Sequence, residues 1–173
     1  MKYCSKCGSD KIKKEIPKGD HRLRYTCSSC GKIFYENPRI VVGTIPVFGN
    51  KILLAKRGIE PQKGKWNLPA GFLEMDETLE EGAIRETIEE TGAIISEMKI
   101  HTVYQSSSNF LFILFLASLK NDNFNLTEES TEIIFFEHKD IPWNEIAFSS
   151  NIFALKSFIS GEKGTSDIFF EMD

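Results

Sequence analysis

Three glutamates carry the clearest chemical signal in this chain. Glu86, Glu89 and Glu90 stand at positions i, i+3 and i+4, which places their carboxylates on one face of a helix. Each like-charged pair costs an exposed helix about 0.2–0.5 kcal/mol, and more where water is excluded. A divalent cation relieves this repulsion, and ligands that are all oxygen favour Mg²⁺ or Mn²⁺. The alternative interpretation is a solvated acidic helix face.

The glutamates end a longer pattern with fixed spacing. Its positions are Gly71, Glu77, Arg85, Glu86, Glu89, Glu90 and Gly92. This pattern resembles the Nudix box, the motif of enzymes that hydrolyse nucleoside diphosphates linked to another group. Thr87 is a departure, because the family usually has an aliphatic residue there, although its methyl group can still face the core. The resemblance implies an α/β fold, an α/β/α sandwich built around a mixed sheet.

The same resemblance implies roles for the residues of the box. The Mg²⁺ or Mn²⁺ ligands that it implies are the Gly71 backbone and the carboxylates of Glu86, Glu89 and Glu90. Arg85 is expected to orient the glutamates through a salt bridge with Glu77. Glu89 and Glu90 are both candidates to position the attacking water, and the sequence leaves that choice open.

Four residues outside these positions are further candidates. Glu132 precedes a strand, and several Nudix enzymes supply a base or an extra metal ligand from a downstream loop. Glu74 follows Gly71 by three residues and is either within reach of substrate or metal, or an exposed loop charge. Trp66 and Phe72 could stack on an adenine or isoalloxazine ring, with a core position as the alternative.

All four cysteines lie within the first thirty residues. Cys4 and Cys7 form one C-x-x-C pair, Cys27 and Cys30 form the second, and a glycine follows each pair. This spacing predicts a zinc ribbon in which two knuckles complete a tetrahedral S4 site. The alternative of two disulfides requires an oxidising compartment, and no export signal accompanies the cysteines. A site with four thiolates has no open position, so this Zn²⁺ is expected to be structural.

Charge and length divide the chain into two predicted domains. The chain has 173 residues; residues 1–39 carry 10 Lys/Arg and 4 Asp/Glu, and the remainder carries 11 and 21. We predict a zinc ribbon over residues 1–37 and a Nudix hydrolase domain over 38–173. No apolar run is long enough to span a membrane, and we expect a cytoplasmic protein. The basic ribbon permits contact with nucleic acid, which is not favoured, and homodimerisation is common in the superfamily.

Hydrophobic patterning predicts the elements that position the box. Strands are expected at Arg39–Phe48, Lys51–Lys56, Glu97–Gln105, Asn109–Leu119 and Ile133–Glu137. The box helix is expected to begin after Thr78 as its N-cap and to end before Gly92. A second amphipathic helix is expected at about Ile146–Ile159, with its apolar residues in the core.

Several short segments resemble a subgroup of Nudix enzymes that carry a zinc ribbon. The subgroup includes plant FAD and ADP-ribose pyrophosphatases, and the matching segments include 65–71, 129–132 and 147–150. NADH pyrophosphatases also combine a ribbon with the box, but of their SQPWPFP array only Gln105 is preserved here. The expected reaction is metal-dependent cleavage of the diphosphate in an ADP-containing nucleotide, with FAD or ADP-ribose ahead of NADH or NAD-capped RNA. The competing hypothesis is a non-catalytic module that senses nucleotides.

Overall fold

The computed structural model describes residues 1–161 and 168–170. The chain divides into two compact units, Met1–Pro38 and Arg39–Asp173. Residues 162–167 and 171–173, which belong to the second predicted domain, lie outside the described residues.

The first unit is a small three-stranded antiparallel sheet joined to two cysteine knuckles. Its strands are β1 (Ile12–Glu15), β2 (Arg24–Cys27) and β3 (Ile33–Phe34), in that order. In each knuckle the glycine after the second cysteine donates its N–H to the carbonyl of the first, Gly8 to Cys4 at 2.8 Å and Gly31 to Cys27 at 2.9 Å. Both glycines have φ near +72°, a conformation that residues with a side chain rarely adopt. The two glycines therefore make the tight turns that bring the cysteines together.

The second unit is built on one mixed sheet. Its strands are β4 (Arg39–Phe48), β5 (Lys51–Arg57), β6 (Trp66–Asn67), β7 (Ala70–Phe72), β8 (Ile95–Ser106), β9 (Phe110–Leu119), β10 (Ser130–Glu137) and β11 (Ile168–Phe170). The strand order is β10-β5-β4-β9-β8-β11, with β6 paired to β5 and β7 paired to β4. β4 runs parallel to β9 and antiparallel to β7. The hairpin between β4 and β5 turns at Gly49–Asn50.

The two helices pack on opposite faces of this sheet. Successive residues of β4 point to opposite sides, so this strand contributes side chains to both packed layers. They are α1 (Leu79–Thr91) and α2 (Ser149–Ser160). On the α1 side, Val42 packs with Ala83, Ile113 and Phe115. On the other side, Ile45 packs with Leu114, Ile141 and the α2 residues Ala154 and Leu155. The expected sandwich with a mixed central sheet is therefore present.

The helix α1 has the boundaries that the sequence predicts. Thr78 accepts the N–H of Glu81, and the Glu81 side chain accepts the N–H of Thr78, which forms a capping box. Gly92 ends the helix in the left-handed conformation with φ of 67°. Thr87 is fully buried and its hydroxyl donates to the Ala83 carbonyl at 2.7 Å. The hydroxyl oxygen of Thr44 on β4 lies 2.8 Å from the hydroxyl oxygen of Thr87, so the departure from the family pattern is a satisfied polar contact.

The helix α2 begins three residues later than predicted. Ile146 pairs with Trp66 in a parallel β-bridge, and the N–H of Ala147 donates to the Trp66 carbonyl at 2.8 Å. These contacts hold the chain extended up to Phe148, which delays the first helical turn. Within residues 1–161, neither α1 nor α2 has the length and apolar composition required to cross a bilayer.

Candidate active site

Arg85 connects the acidic residues of the box. Its guanidinium donates to both carboxylate oxygens of Glu77, at 2.9 and 2.7 Å, and to Glu86 and Glu89. A further N–H donates to the carbonyl of Phe72 at 3.0 Å. These hydrogen bonds lower the pKa of Glu77 to about 2, and the N–H of Glu74 adds to the effect. The planar guanidinium thus fixes α1 to the loop that precedes it and to β7.

Gly71 lies directly against Glu86. A Cβ atom at residue 71 would overlap all three atoms of the Glu86 carboxyl group. Gly71 pairs with Val42 in the sheet, so β4 fixes the position of this backbone. The requirement for glycine is therefore the close approach of a carboxylate, and it places the Gly71 backbone beside the acidic face of α1.

Glu90 is the buried carboxylate of the group, with 8% of its surface exposed. Burial raises the pKa of Glu90 to about 7, and the negative charge of Glu86 adds to the rise. A hydrogen bond from the Asn67 amide at 3.4 Å opposes it. Burial also raises the pKa of Glu86. Two carboxylates whose charges oppose each other in a desolvated region form the environment that a divalent cation stabilises.

Glu129 is a downstream acidic residue whose charge acts on this group. Its charge raises the pKa of both Glu86 and Glu90, and it borders a small cavity together with Glu90, Asn67 and Ser130. Glu132, the sequence candidate, instead forms an ion pair with Lys56 at 3.2 Å. The strand β10 has a register shift between Ser130 and Glu132. The segment identified from sequence is therefore beside the box, but its closer member is Glu129.

A cavity of about 500 Å³ opens next to the box. Gly71 and Ala70 form part of its wall, and its aromatic lining residues are Phe72, Phe110, Phe112 and Phe148. The Arg39 guanidinium lies 5.0 Å from the Phe72 ring centroid and 4.5 Å from that of Phe110. The volume suits a nucleotide, since ligand cavities are about 300–1,000 Å³.

The three residues proposed from sequence for substrate contact have different positions. Phe72 is 47% exposed and lines this cavity. Trp66 is 5% exposed and packs edge-to-face against Phe136 at 4.9 Å, within the core on the α2 side. Glu74 is exposed, and its backbone N–H donates to Glu77 at 2.8 Å. Trp66 therefore occupies the core position that was its alternative.

The carboxylates of the box have the chemistry that a divalent cation prefers. Gly71 leaves room at Glu86, and Glu86 and Glu90 are desolvated together. Glu89 is 57% exposed and paired with Arg85 at 3.0 Å. Across residues 1–161, the acidic, cysteine and histidine side chains whose ligand atoms all lie within 4.8 Å of one another are the four cysteines. The three glutamates therefore do not form such a group among the described residues, and Glu86 and Glu89 both pair with Arg85.

The four cysteines form a compact group in the first unit. Cys4 lies 3.7 Å from Cys30, and Cys7 lies 3.7 Å from Cys27, measured between Sγ atoms. All four are free thiols, so the disulfide alternative does not describe this structure. Four sulfur atoms at this spacing fit the tetrahedral Zn²⁺ site that the sequence predicts.

Comparison with known families identifies both parts of the chain. Residues 37–155 match the NUDIX domain, and residues 2–36 match the family described as Nudix N-terminal, a zinc ribbon. The chain therefore belongs to the Nudix hydrolase family and is an enzyme of that class. A crystal structure of a NUDIX hydrolase from Nitrosomonas europaea is 40% identical and superposes with a TM-score of 0.87, covering 99% of this chain and 100% of that one.

Two similar proteins have names that state an activity. An ADP-ribose pyrophosphatase from Methanocaldococcus jannaschii is 34% identical over 113 residues, which cover 62% of this chain and 67% of the relative. The NAD-capped RNA hydrolase NudC from Haemophilus influenzae is 34% identical over 103 residues, 57% of this chain and 36% of the relative. The match to NudC thus spans about a third of that protein.

Proposed function

We propose that this protein is a metal-dependent pyrophosphohydrolase that cleaves ADP-ribose to AMP and ribose 5-phosphate. The observation that carries the proposal is the nucleotide-sized cavity walled by Gly71, the residue against which Glu86 packs. The M. jannaschii relative, an ADP-ribose pyrophosphatase, supports the choice of substrate.

The chain supplies binding groups of two kinds to such a substrate. Phe72 and Phe110 present aromatic surface at one side of the cavity, with centroids 5.9 Å apart. An adenine base stacks favourably on such rings. Arg57 borders both this cavity and the small one that contains Glu90, and so can direct a guanidinium at the diphosphate. The base and the diphosphate would therefore occupy different parts of one cavity.

Glu86, Glu89, Glu90 and the Gly71 backbone would hold Mg²⁺ or Mn²⁺. When bound, the metal neutralises phosphate oxygens and lowers the pKa of water. Arg85 positions Glu86 and Glu89, and Glu77 in turn positions Arg85. The sequence resemblance implies this order of support, and these ion pairs support the proposal.

The attacking water needs an acceptor for its proton. A bond forms between the water oxygen and one phosphorus, the bridging P–O bond breaks, and the proton passes to a carboxylate. Glu129 is our candidate for that carboxylate, because its charge raises the pKa of both Glu86 and Glu90, whereas Glu132 forms an ion pair with Lys56. Glu132 remains the prediction from sequence.

NADH and NAD-capped RNA form the second substrate class. The NudC relative favours it, and the loss of the SQPWPFP array at residues 104–110 opposes it. FAD shares the ADP half of ADP-ribose, and the sequence resemblance favours these two substrates equally. All of these compounds present the same diphosphate to the box, so the choice among them depends on the rest of the cavity.

A substrate panel tests the proposal. The purified full chain is incubated with ADP-ribose, FAD, NADH and NAD-capped RNA, with and without Mg²⁺, and kcat/KM is measured by product chromatography. We expect the highest value with ADP-ribose and no turnover after chelation. Glu90→Gln is the matched inactive control, since it removes a charge at nearly constant volume. Metal-independent inactivity on every compound would support a sensor instead, and a higher value for NADH would reassign the substrate.

A further inference from the structure

The N-terminal end of α2 opens onto the cavity of about 500 Å³ beside the box. Residues 147–150 line it, and the helix begins at Ser149. Phe148 occupies the N-cap position and its side chain makes no capping hydrogen bond. The first helical amide with an acceptor is that of Asn151, which donates to the Phe148 carbonyl at 3.1 Å. The amides at the start of a helix carry partial positive charge, so this end offers donors to an occupant of the cavity.

Ser150 provides an independent indication of a ligand. Its side chain is 1% exposed, and its hydroxyl has no hydrogen-bond partner among the described residues. A buried hydroxyl without a partner destabilises a fold, and such groups normally have a partner. The neighbouring Ser149 shows the usual situation, because its hydroxyl oxygen accepts a hydrogen bond from Tyr104 at 3.0 Å. Ser150 is thus the serine of this turn that has a free polar group beside the cavity.

Arg57 adds a full positive charge at the same place. Its guanidinium lies 5.2 Å from the ring centroid of Phe148, and the residue lines the cavity with Ser150. Its Nε donates to the Pro61 carbonyl at 2.7 Å, which fixes the side chain. Arg57 also borders the small cavity that contains Glu90 and Glu129. The arginine therefore lies between the start of α2 and the acidic group.

We propose that the start of α2, the Ser150 hydroxyl and Arg57 form an anion subsite for one phosphate of the substrate's diphosphate. The other phosphate lies at the box glutamates. A diphosphate carries charge on both phosphates, and carboxylates repel the one that is not neutralised there. Backbone amides, a hydroxyl and a guanidinium are the donors that bind a phosphate. This subsite rests on the proposed function, since it assumes that a diphosphate enters this cavity.

Ser150→Ala in the full chain tests the subsite. We expect kcat/KM for ADP-ribose to fall about tenfold, mainly through a higher KM, which is the effect of losing one hydrogen bond to a charged group. The thermal midpoint without ligand should be unchanged or higher, because no bond within the protein is lost. Ser157→Ala, a buried position two turns along α2 and outside the cavity lining, should keep wild-type kinetics.

A second measurement separates this inference from the substrate assignment. The increase in thermal midpoint with inorganic pyrophosphate and Mg²⁺ is compared for wild type and Ser150→Ala, and we expect a smaller increase for the variant. If wild type hydrolyses none of the panel compounds, the proposed function fails and the pyrophosphate comparison still decides the subsite. Equal kinetics and equal pyrophosphate shifts for the two proteins would overturn the subsite, as would a wild type that pyrophosphate does not stabilise.

Discussion

At the scale of single residues, the pKa of each carboxylate in the acidic group depends on its burial and on its hydrogen-bond partners. Glu77, at the edge of the group, has its pKa lowered to about 2 by Arg85, whereas burial raises the pKa of Glu90 to about 7. Glu77 precedes α1 by two residues, and Glu90 lies in its last turn. The side chains are chemically identical, so their environments determine that Glu77 ionises readily, whereas a charged Glu90 needs a cation.

The pKa of Glu90 predicts a pH-dependent stability. Its value rises on folding from about 4.5 to about 7, so folding favours the protonated form, and stability falls as pH increases from about 4.5 to 7. In chelator, Glu90→Gln should equal wild type near pH 4 and exceed it by about 3 kcal/mol at pH 8, an order-of-magnitude value. Urea unfolding at several pH values measures this difference. A pH-independent difference between the two proteins would contradict the predicted burial of the charge.

The downstream glutamates provide a matched pair. We expect Glu129→Gln to lower kcat by about 10²-fold or more, as for loss of a general base, with little change in thermal midpoint. Glu132→Gln should lower kcat less than about threefold, because the Glu132 carboxylate is paired with Lys56 and is not our proposed proton acceptor. Steady-state kinetics on the same substrate compares them. The reverse ranking would restore Glu132 as the catalytic residue.

At the scale of elements, α1 could be predicted in full because its signals are local. Thr78, Glu81 and Gly92 set its ends by hydrogen bonds within a few residues. The start of α2 could not, since the bridge between Trp66 and Ile146 joins residues that are 80 positions apart. Sequence periodicity contains no record of such a pairing. Contacts between distant residues also determine which downstream glutamate borders Glu90, so the sequence indicates Glu132 rather than Glu129. For the same reason it does not indicate Asn67, the partner of Glu90.

The hydroxyl pair between α1 and β4 gives a prediction at this scale. Thr87→Val should destabilise the protein by about 1–3 kcal/mol, because it leaves the buried Thr44 hydroxyl without this partner. The double variant Thr44→Val with Thr87→Val removes both groups and should recover most of that loss. Urea unfolding of the two single variants and the double variant completes the cycle. Additive losses would show that the two hydroxyls do not interact.

At the scale of the whole molecule, each unit has its own source of stability. The second unit has extensive apolar clusters on both faces of its sheet. The buried apolar residues of the first unit are two of its cysteines, Cys4 and Cys27, and Pro17. About forty residues rarely bury enough surface to fold without a metal or a disulfide. The ribbon is therefore expected to depend on Zn²⁺, and the hydrolase unit is not.

Cys27→Ser in the full chain tests this division. Elemental analysis should find about one Zn²⁺ per wild-type chain and none in the variant, since three thiolates bind it much more weakly. Hydrogen exchange should show lost protection over residues 2–36 and native protection in β4, β5 and β9. Glu90→Gln should retain its zinc. Loss of protection throughout both units in Cys27→Ser would show instead that they fold as one.

The contact between Thr44 and Thr87 has a consequence for how the helix is oriented about its own axis. Apolar side chains pack with little directional preference, so a helix held by them alone tolerates small rotations. A hydrogen bond between two buried hydroxyls is directional and fixes that rotation. Thr87 lies one residue after Glu86 and three before Glu90, so the angular setting that it imposes determines where both carboxylates are aimed. A polar contact inside the core thereby controls the alignment of the acidic group.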